Sequence, residues 1–118
     1  MNVNKHNTIN YVELPVGDLA LAKDFFSKVF GWSFTDYGPE YAAFSGAGID
    51  GGFFQSDLCV STAVGSALLV FYSNNLEMTK TEIEAAGGEI IKPIFAFPGG
   101  QRFHFVDPNG NEFGVWSE

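Results

Sequence analysis

Three polar side chains near the end of the chain combine residue types and a spacing suited to acid–base chemistry or to binding. Arg102 and His104 stand two residues apart in an apolar run, and Glu112 opens the next apolar run. Residues two apart in a strand share a face, so Arg102 and His104 are expected side by side. An imidazole can act as a general acid or base near neutral pH, and a guanidinium can hold a carboxylate with two parallel hydrogen bonds. The pattern therefore predicts a catalytic or ligand-binding face.

A second candidate, Glu13, lies in the first apolar run of the chain, on the strand face that it shares with Tyr11 and Pro15. A carboxylate on a strand whose other face is core must reach water or find a cationic or hydrogen-bonding partner. Two interpretations stay open for Glu13: a solvated or salt-bridged side chain, or a general base or receptor for a donor group of a substrate. His104 has the same two, as a hydrogen-bonded structural residue or as an acid–base partner.

Alternation along the strands also selects the other residues of this face, if helices cover the more apolar face. The face is predicted to contain Tyr11, Glu13 and Pro15, then Leu68, Val70 and Tyr72, and finally Arg102, His104, Glu112, Gly114 and Trp116. Of these, Glu13 and His104 are the predicted catalytic residues, and Tyr11, Tyr72, Arg102, Glu112 and Trp116 the predicted substrate-binding residues. The aromatic members would form flat amphipathic walls around a ligand. Arg102 has an alternative role, which is to neutralise Glu13 or Glu112.

The elements that position these residues fall into two similar halves. Asp18 is suited to cap a helix over about residues 19–30, and Asn74 or Asn75 to cap a second helix that ends near residue 86. Short apolar runs bounded by Gly, Pro and Asp predict one strand before each helix and three after it.

The predicted fold class is therefore α+β, with two β-α-β-β-β modules at about residues 8–55 and 66–117. Neither module is expected to bury both faces of its sheet alone, so the two would pack together as a single domain over residues 1–118.

Three segments, in order along nearly the whole chain, carry a family resemblance. They are Val16-Gly17-Asp18-Leu19 followed by Phe25-Phe26 and Val29-Phe30-Gly31-Trp32; Ile83-Glu84-Ala85-Ala86-Gly87-Gly88; and Phe105-Val106-Asp107-Pro108-Asn109-Gly110-Asn111. Together they resemble the vicinal oxygen chelate superfamily, which includes glyoxalase I, fosfomycin and bleomycin resistance proteins, and extradiol dioxygenases. The resemblance implies a glyoxalase-like fold, in which the modules form a curved mixed sheet with a concave groove for a small molecule.

Metal-dependent members of that superfamily place two ligands in each module. The corresponding positions here are Tyr11, a residue near 53–55, Leu68 and Gly114. A tyrosine phenol must lose a proton of pKa about 10 to bind strongly, while leucine and glycine side chains have no donor atom. Since such a metal ion needs about three protein ligands, we predict that the metal site of the family is absent and that there is no cofactor.

Three functions remain open. The first is a metal-independent binding protein of the resistance or sequestration type, with an unknown ligand. The second is a metal-independent enzyme that uses Glu13 and His104 as an acid–base pair on a carbonyl-bearing or enolisable small molecule. The third is a metal-dependent lyase or isomerase resembling lactoylglutathione lyase, with a shifted metal site of Glu13, His104 and Glu112. Because ligand side chains are missing at the expected metal positions, the metal-dependent function is the least favoured of the three. The sequence does not distinguish between the first two.

The composition of the chain excludes some classes of binding partner. The formal net charge is −8, which disfavours nucleic acid and anionic membrane surfaces. No stretch approaches the roughly 20 apolar residues of a membrane span, the first eight residues lack a signal-peptide centre, and Cys59 is a lone cysteine, so a cytoplasmic protein is predicted. A homodimer is predicted from the family resemblance and from the aromatic surface that Trp32, Phe53, Phe54 and Trp116 would offer.

Overall fold

The computed structural model describes residues 4–118. The chain divides into two compact units, Met1–Leu58 and Cys59–Glu118, and each contains one α-helix and one four-stranded mixed sheet among its described residues. The predicted α+β class and the two β-α-β-β-β modules are confirmed. That the two units make a single domain stays a prediction. No helix within residues 4–118 is long and apolar enough to cross a membrane.

The first unit contains β1 (Tyr11–Val16), α1 (Leu19–Phe30), β2 (Ser33–Asp36), β3 (Tyr41–Ser45) and β4 (Asp50–Gln55). The strand order is β1-β4-β3-β2, in which β1 and β4 are parallel and the other pairs antiparallel. Helix α1 begins as predicted, because the Asp18 carboxylate accepts a hydrogen bond from the backbone N–H of Leu21 at 3.0 Å. It ends at Gly31, whose φ of 72° suits a residue without a β-carbon.

Stacked aromatic rings form the core of the first unit. The Trp32 ring lies 4.6 Å from that of Phe26 and 4.5 Å from that of Phe44, between ring centroids. Phe53 is fully buried beside them, 5.5 Å from Phe26. The expectation that Trp32 and Phe53 contribute exposed aromatic surface to a dimer is therefore wrong: α1 and the sheet enclose both rings, and their burial stabilises the unit instead.

The second unit contains β5 (Leu69–Tyr72), α2 (Leu76–Ala85), β6 (Glu89–Phe97), β7 (Gly100–Val106) and β8 (Glu112–Ser117), with a short 3-10 turn at Thr62–Val64. Its strand order, β5-β8-β7-β6, repeats that of the first unit. Asn75 caps α2 by accepting from the backbone N–H of Met78 at 3.1 Å. The helix ends with the backbone N–H of Gly88 donating to the Ile83 carbonyl at 2.9 Å, so the predicted end near residue 86 is confirmed.

Strand β6 is longer than the sequence indicates. The apolar pattern predicts a strand over 89–91, whereas the structure continues it to Phe97 through Pro93. Its pairing with β7 is irregular between Ile90 and Phe95. Pro93 lies within this irregular stretch of an edge strand, where the backbone N–H that proline lacks is tolerated.

Candidate functional site

Strands β7 and β8 place the predicted polar residues of the second unit on one face. The antiparallel register pairs Arg102 with Trp116, His104 with Gly114, and Val106 with Glu112. The alternate side chains are buried on the opposite face, and they are Phe103, Phe105, Phe113 and Val115. This apolar layer fixes which side chains point the other way, because a shift of one residue would exchange the two faces.

A hydrogen-bonded relay joins Arg102, His104 and Glu112. Arg102 Nη2 lies 2.9 Å from His104 Nε2, and His104 Nδ1 lies 2.8 Å from Glu112 Oε2. A guanidinium has donors alone, so Nε2 must accept and Nδ1 must carry the ring proton that it donates to Glu112. The relay ends at Thr62, whose backbone N–H and hydroxyl donate to Glu112 Oε1 at 2.7 and 2.9 Å.

Glu112 is a buried carboxylate that orients the His104 ring; it is 3% exposed and His104 is 5% exposed. Burial by itself would raise the pKa of Glu112, but the hydrogen bonds from His104 and Thr62 outweigh burial, so this pKa lies below its usual value. The carboxylate therefore stays charged and fixes the neutral tautomer of His104. Both ring nitrogens of His104 are engaged, which leaves no free lone pair for a general base while Arg102 keeps its place.

The Arg102 side chain lies over Gly114 and close to two aromatic rings. Its guanidinium carbon is 5.9 Å from the Phe95 ring centroid and 5.7 Å from that of Phe97, within the range of cation–π attraction. A β-carbon at position 114 would lie 3.1 Å from Arg102 Nη2, so the glycine provides the room that the guanidinium uses. Arg102 Nε is buried, and among residues 4–118 no acceptor lies within hydrogen-bonding distance of it.

The side chains at the expected ligand positions do not fit the metal site of the superfamily that the sequence resembles. The ligand position at Gly114 has a cation beside it, and the side chain of Leu68 has no donor atom. By strand register, Gly52 on β4 corresponds to Gly114 on β8, and it adds no donor. No three His, Cys, Asp or Glu side chains converge anywhere in the part of the chain that the structure describes.

The first unit holds a separate polar cluster of Tyr11, Glu13 and Tyr41. The Tyr41 hydroxyl donates to Glu13 Oε2 at 2.9 Å and lies 2.5 Å from the Tyr11 hydroxyl. Burial, followed by the hydrogen bonds with Tyr11 and Glu13, raises the pKa of Tyr41 well above its usual value, so it stays protonated. A β-carbon at Gly52 would overlap the Tyr41 ring. Sequence reasoning missed Tyr41; the signal was the glycine pair at 51–52 inside a strand, which indicates a close approach.

The remaining predicted residues differ in exposure. Tyr72 is 53% exposed; its hydroxyl donates to Glu118 Oε1 at 2.6 Å, and its ring meets the edge of Trp116 at 5.1 Å. Val70 is exposed, Leu68 and Trp116 are partly exposed, and Pro15 is buried. The structure thus brings Arg102, His104, Glu112 and Gly114 together, and Tyr11 with Glu13. The predicted pair of Glu13 and His104 is divided between the two units and stays a prediction.

The repeated modules and their polar faces define a glyoxalase-like α+β protein. Residues 8–115 match the family model of the Glyoxalase/Bleomycin resistance protein/Dioxygenase superfamily, so the chain belongs to that superfamily. This confirms the resemblance seen in the sequence. Comparison with curated proteins gives no match.

Solved structures agree with this assignment at the level of the fold. A genomically encoded fosfomycin resistance protein from Listeria monocytogenes has a TM-score of 0.79 at 18% identity, covering 97% of this chain and 95% of its own. A lactoylglutathione lyase from Agrobacterium tumefaciens has a TM-score of 0.71 at 22% identity, covering 97% and 96%. An enzyme of the glyoxalase/bleomycin resistance protein/dioxygenase family from Burkholderia phytofirmans PsJN has a TM-score of 0.76 at 19% identity, covering 92% and 96%. At such identities the likeness establishes the fold, and function depends on the residues of the site.

Proposed function

We propose that this protein binds a small molecule on the polar face of the second unit, without a metal ion, as a metal-independent member of its superfamily. One observation carries the proposal: the guanidinium of Arg102 lies over Gly114, at a position where metal-dependent relatives are expected to have a ligand. A cation placed there repels a metal ion, and it also offers hydrogen-bond donors to a ligand.

The side chains around Arg102 support a ligand-binding role. The register aligns Tyr72, Trp116, Arg102 and Phe95 in one row across the four strands of the sheet. Tyr72 and Phe95 are 53% and 39% exposed. Exposed aromatic residues beside a few fixed polar groups are typical of small-molecule sites, where the rings provide contact area and the polar groups fix orientation.

An acid–base enzyme that uses Glu13 and His104 is the second candidate. The Glu112–His104 contact favours this candidate, because a carboxylate that orients an imidazole is a common feature of catalytic histidines. Catalysis would require a substrate to displace Arg102 from Nε2 first. The shifted metal site of Glu13, His104 and Glu112 has less support, because the Arg102 and Glu112 contacts engage both nitrogens of His104.

Two tests in metal-free buffer separate these functions. Elemental analysis after purification without chelator, followed by calorimetric titration with Zn²⁺, Ni²⁺ and Mn²⁺, should show no stoichiometric metal. A fragment screen by amide NMR in the presence of EDTA should shift the resonances of β7 and β8. One equivalent of metal per chain, lost in His104→Ala or Glu112→Gln, would overturn the metal-independent proposal. So would fragment binding that appears only after metal is added.

A homodimer and a cytoplasmic location are proposed as well. Family membership supports the dimer, and Phe54 and Trp116 remain partly exposed, although Trp32 and Phe53 no longer support it. Light scattering at micromolar concentration decides the point, since a mass near 12.8 kDa would exclude the dimer. The lone exposed Cys59 is consistent with a reducing compartment.

A further inference from the structure

We propose that Arg102 is a built-in cation that binds the carboxylate group of the ligand with two parallel hydrogen bonds. The inference rests on the proposed function and names the class of ligand for the same site: a small carboxylate with an apolar, preferably planar, body. The anion would meet a protein-borne guanidinium where a metal-dependent relative would offer a metal ion.

The charge of Arg102 lacks a compensating carboxylate. The sequence has fourteen Asp and Glu residues and a single arginine, yet no salt bridge to Arg102 forms among residues 4–118. The neighbouring carboxylate, Glu112, bonds to His104 and Thr62 instead. Partly buried charges are normally paired, because removing an unpaired ion from water is costly. An anionic ligand would supply the missing partner.

The hydrogen-bonding capacity of the guanidinium points to the same group. It has five N–H donors, and the bond to His104 Nε2 uses one of them. The buried Nε–H has no acceptor among residues 4–118. A carboxylate has two oxygens spaced to match two neighbouring N–H groups of a guanidinium, so it can bond the Nε–H and a terminal N–H together. A single hydroxyl or carbonyl oxygen would leave one of the two unsatisfied.

His104 is a positioning residue in this arrangement. It accepts from Arg102 as a neutral imidazole, so it holds the guanidinium in place without cancelling the positive charge. A direct contact between Arg102 and Glu112 would have neutralised that charge. Phe95 and Phe97 lie beside the cation, and Gly114 provides space next to it, so the guanidinium is held in place before the ligand arrives. The ligand would have to displace only the atoms that cover the buried Nε–H. Such preorganisation favours affinity.

The test measures the binding of three small molecules to the full chain by amide NMR titration. The probes are benzoate, its neutral planar analogue benzamide, and phenylphosphonate. Benzoate should bind wild-type protein about tenfold more tightly than benzamide, a factor appropriate to a charge-assisted bidentate bond. Arg102→Gln should remove that preference, and Arg102→Lys should lose most of it because an ammonium lacks the fork. Lys80→Gln is the matched control: it removes one positive charge from α2 of the same unit and should change nothing.

Four other results would each contradict a specific part of the proposal. Equal binding of benzoate and benzamide by the wild-type protein overturns the carboxylate inference while leaving small-molecule binding intact, and this comparison holds even if an Arg102 variant fails to fold. If Lys80→Gln also lost the preference for benzoate over benzamide, the preference would reflect net charge. The proposed pair of hydrogen bonds from Arg102 would then be wrong. Tighter, Arg102-dependent binding of phenylphosphonate would overturn the choice of a planar carboxylate. Failure of every fragment to bind without metal would overturn the proposed function itself.

Discussion

The two units share one scaffold and differ in the chemistry of its polar face. In each, the fourth strand of the module carries a glycine, Gly52 or Gly114, and a long side chain from the third strand covers it. That side chain is Tyr41 in the first unit and Arg102 in the second. Each pairs across the sheet with the residue two positions after the glycine, so the two occupy equivalent places. The scaffold thus selects which residues meet, and the residue at one position decides what they can do.

Burial separates the two clusters further. The buried polar residues among those described are His104, Asp107, Asn111 and Glu112, and all belong to the second unit. In the first unit, Glu13 is exposed and Tyr11 is 45% exposed. A buried network has a large energetic effect when broken, whereas an exposed one exchanges its bonds with water. We therefore expect the second cluster to be structural and preorganised, and the first to be adaptable.

The largest expected effect comes from removing the buried carboxylate. Glu112→Ala leaves the donors of His104 and Thr62 without an acceptor and should lower the free energy of unfolding by about 3–5 kcal/mol. Glu13→Ala, at an exposed position, should cost within about 0.5 kcal/mol. Urea unfolding followed by circular dichroism measures both. Equal costs in the two variants would remove the distinction between a structural and an adaptable cluster.

The next effect is a pH dependence that arises in the second unit. Burial raises the pKa of Asp107 to about 6 from its usual 3.8, against the opposing hydrogen bonds from the backbone of Asn111, Asn109 and Gly110. Above about pH 5 the unfolded carboxyl is almost fully charged, whereas the folded one gains a proton as the pH falls through about 6. Stability should therefore increase from pH 7.5 to 5, by an amount on the order of 2 kcal/mol.

Thermal melts across that pH range test the assignment. Asp107→Asn should flatten the dependence, because an amide keeps the acceptor oxygen for the turn and does not titrate. Asp57→Asn, at an exposed position of the first unit, is the control and should keep the wild-type slope. A slope that survives in Asp107→Asn would assign the proton to another group. Below pH 4.5 the opposite trend is expected, because Glu112, with its lowered pKa, stabilises the fold only while charged.

The two covering side chains can be compared through the glycines beneath them. Gly52→Ala should cost about 1–2 kcal/mol, because the new β-carbon overlaps the Tyr41 ring and must displace it. Gly114→Ala should cost less, since its β-carbon would lie at 3.1 Å or more from Arg102, Val70 and Leu68. Neither glycine has a positive φ, so steric overlap alone is tested. Denaturant midpoints in the reverse order would show that Arg102 is held more rigidly than Tyr41.

The sequence predicts a feature of the site well when that feature depends on residues close together in the chain, and poorly when it depends on residues far apart. Period-two alternation is local, so it places Arg102, His104 and Glu112 on one face. The order of their bonds depends on the β7–β8 register and on the path of the loop that brings Thr62 to Glu112, and neither is encoded locally. Tyr41 was not predicted because, in the first module, the polar face was inferred from the first strand alone.

The wrong prediction of exposed aromatic surface has a similar cause. A short apolar run such as that around Phe53 has the same sequence pattern whether it faces a core or a partner, and only the fold shows that α1 covers it. The strand predicted over 89–91 stops short of Pro93, and whether a proline is tolerated within a strand depends on whether that strand lies at an edge, which is a property of the whole sheet.

The smallest expected effect tests the adaptable character of the first cluster. Tyr41→Phe removes the hydroxyl that joins Glu13 to Tyr11 and keeps the ring over Gly52. Water can replace both bonds at these exposed partners, so the cost should be about 0.5–1 kcal/mol, well below that of Glu112→Ala. Tyr11→Phe is the matched variant, because it removes one bond and leaves the Tyr41–Glu13 contact intact, and it should cost less still. A Tyr41→Phe cost above about 2 kcal/mol, measured in the same urea series, would mean that the first cluster is as structural as the second, and the contrast between the units would then lie in their charge alone.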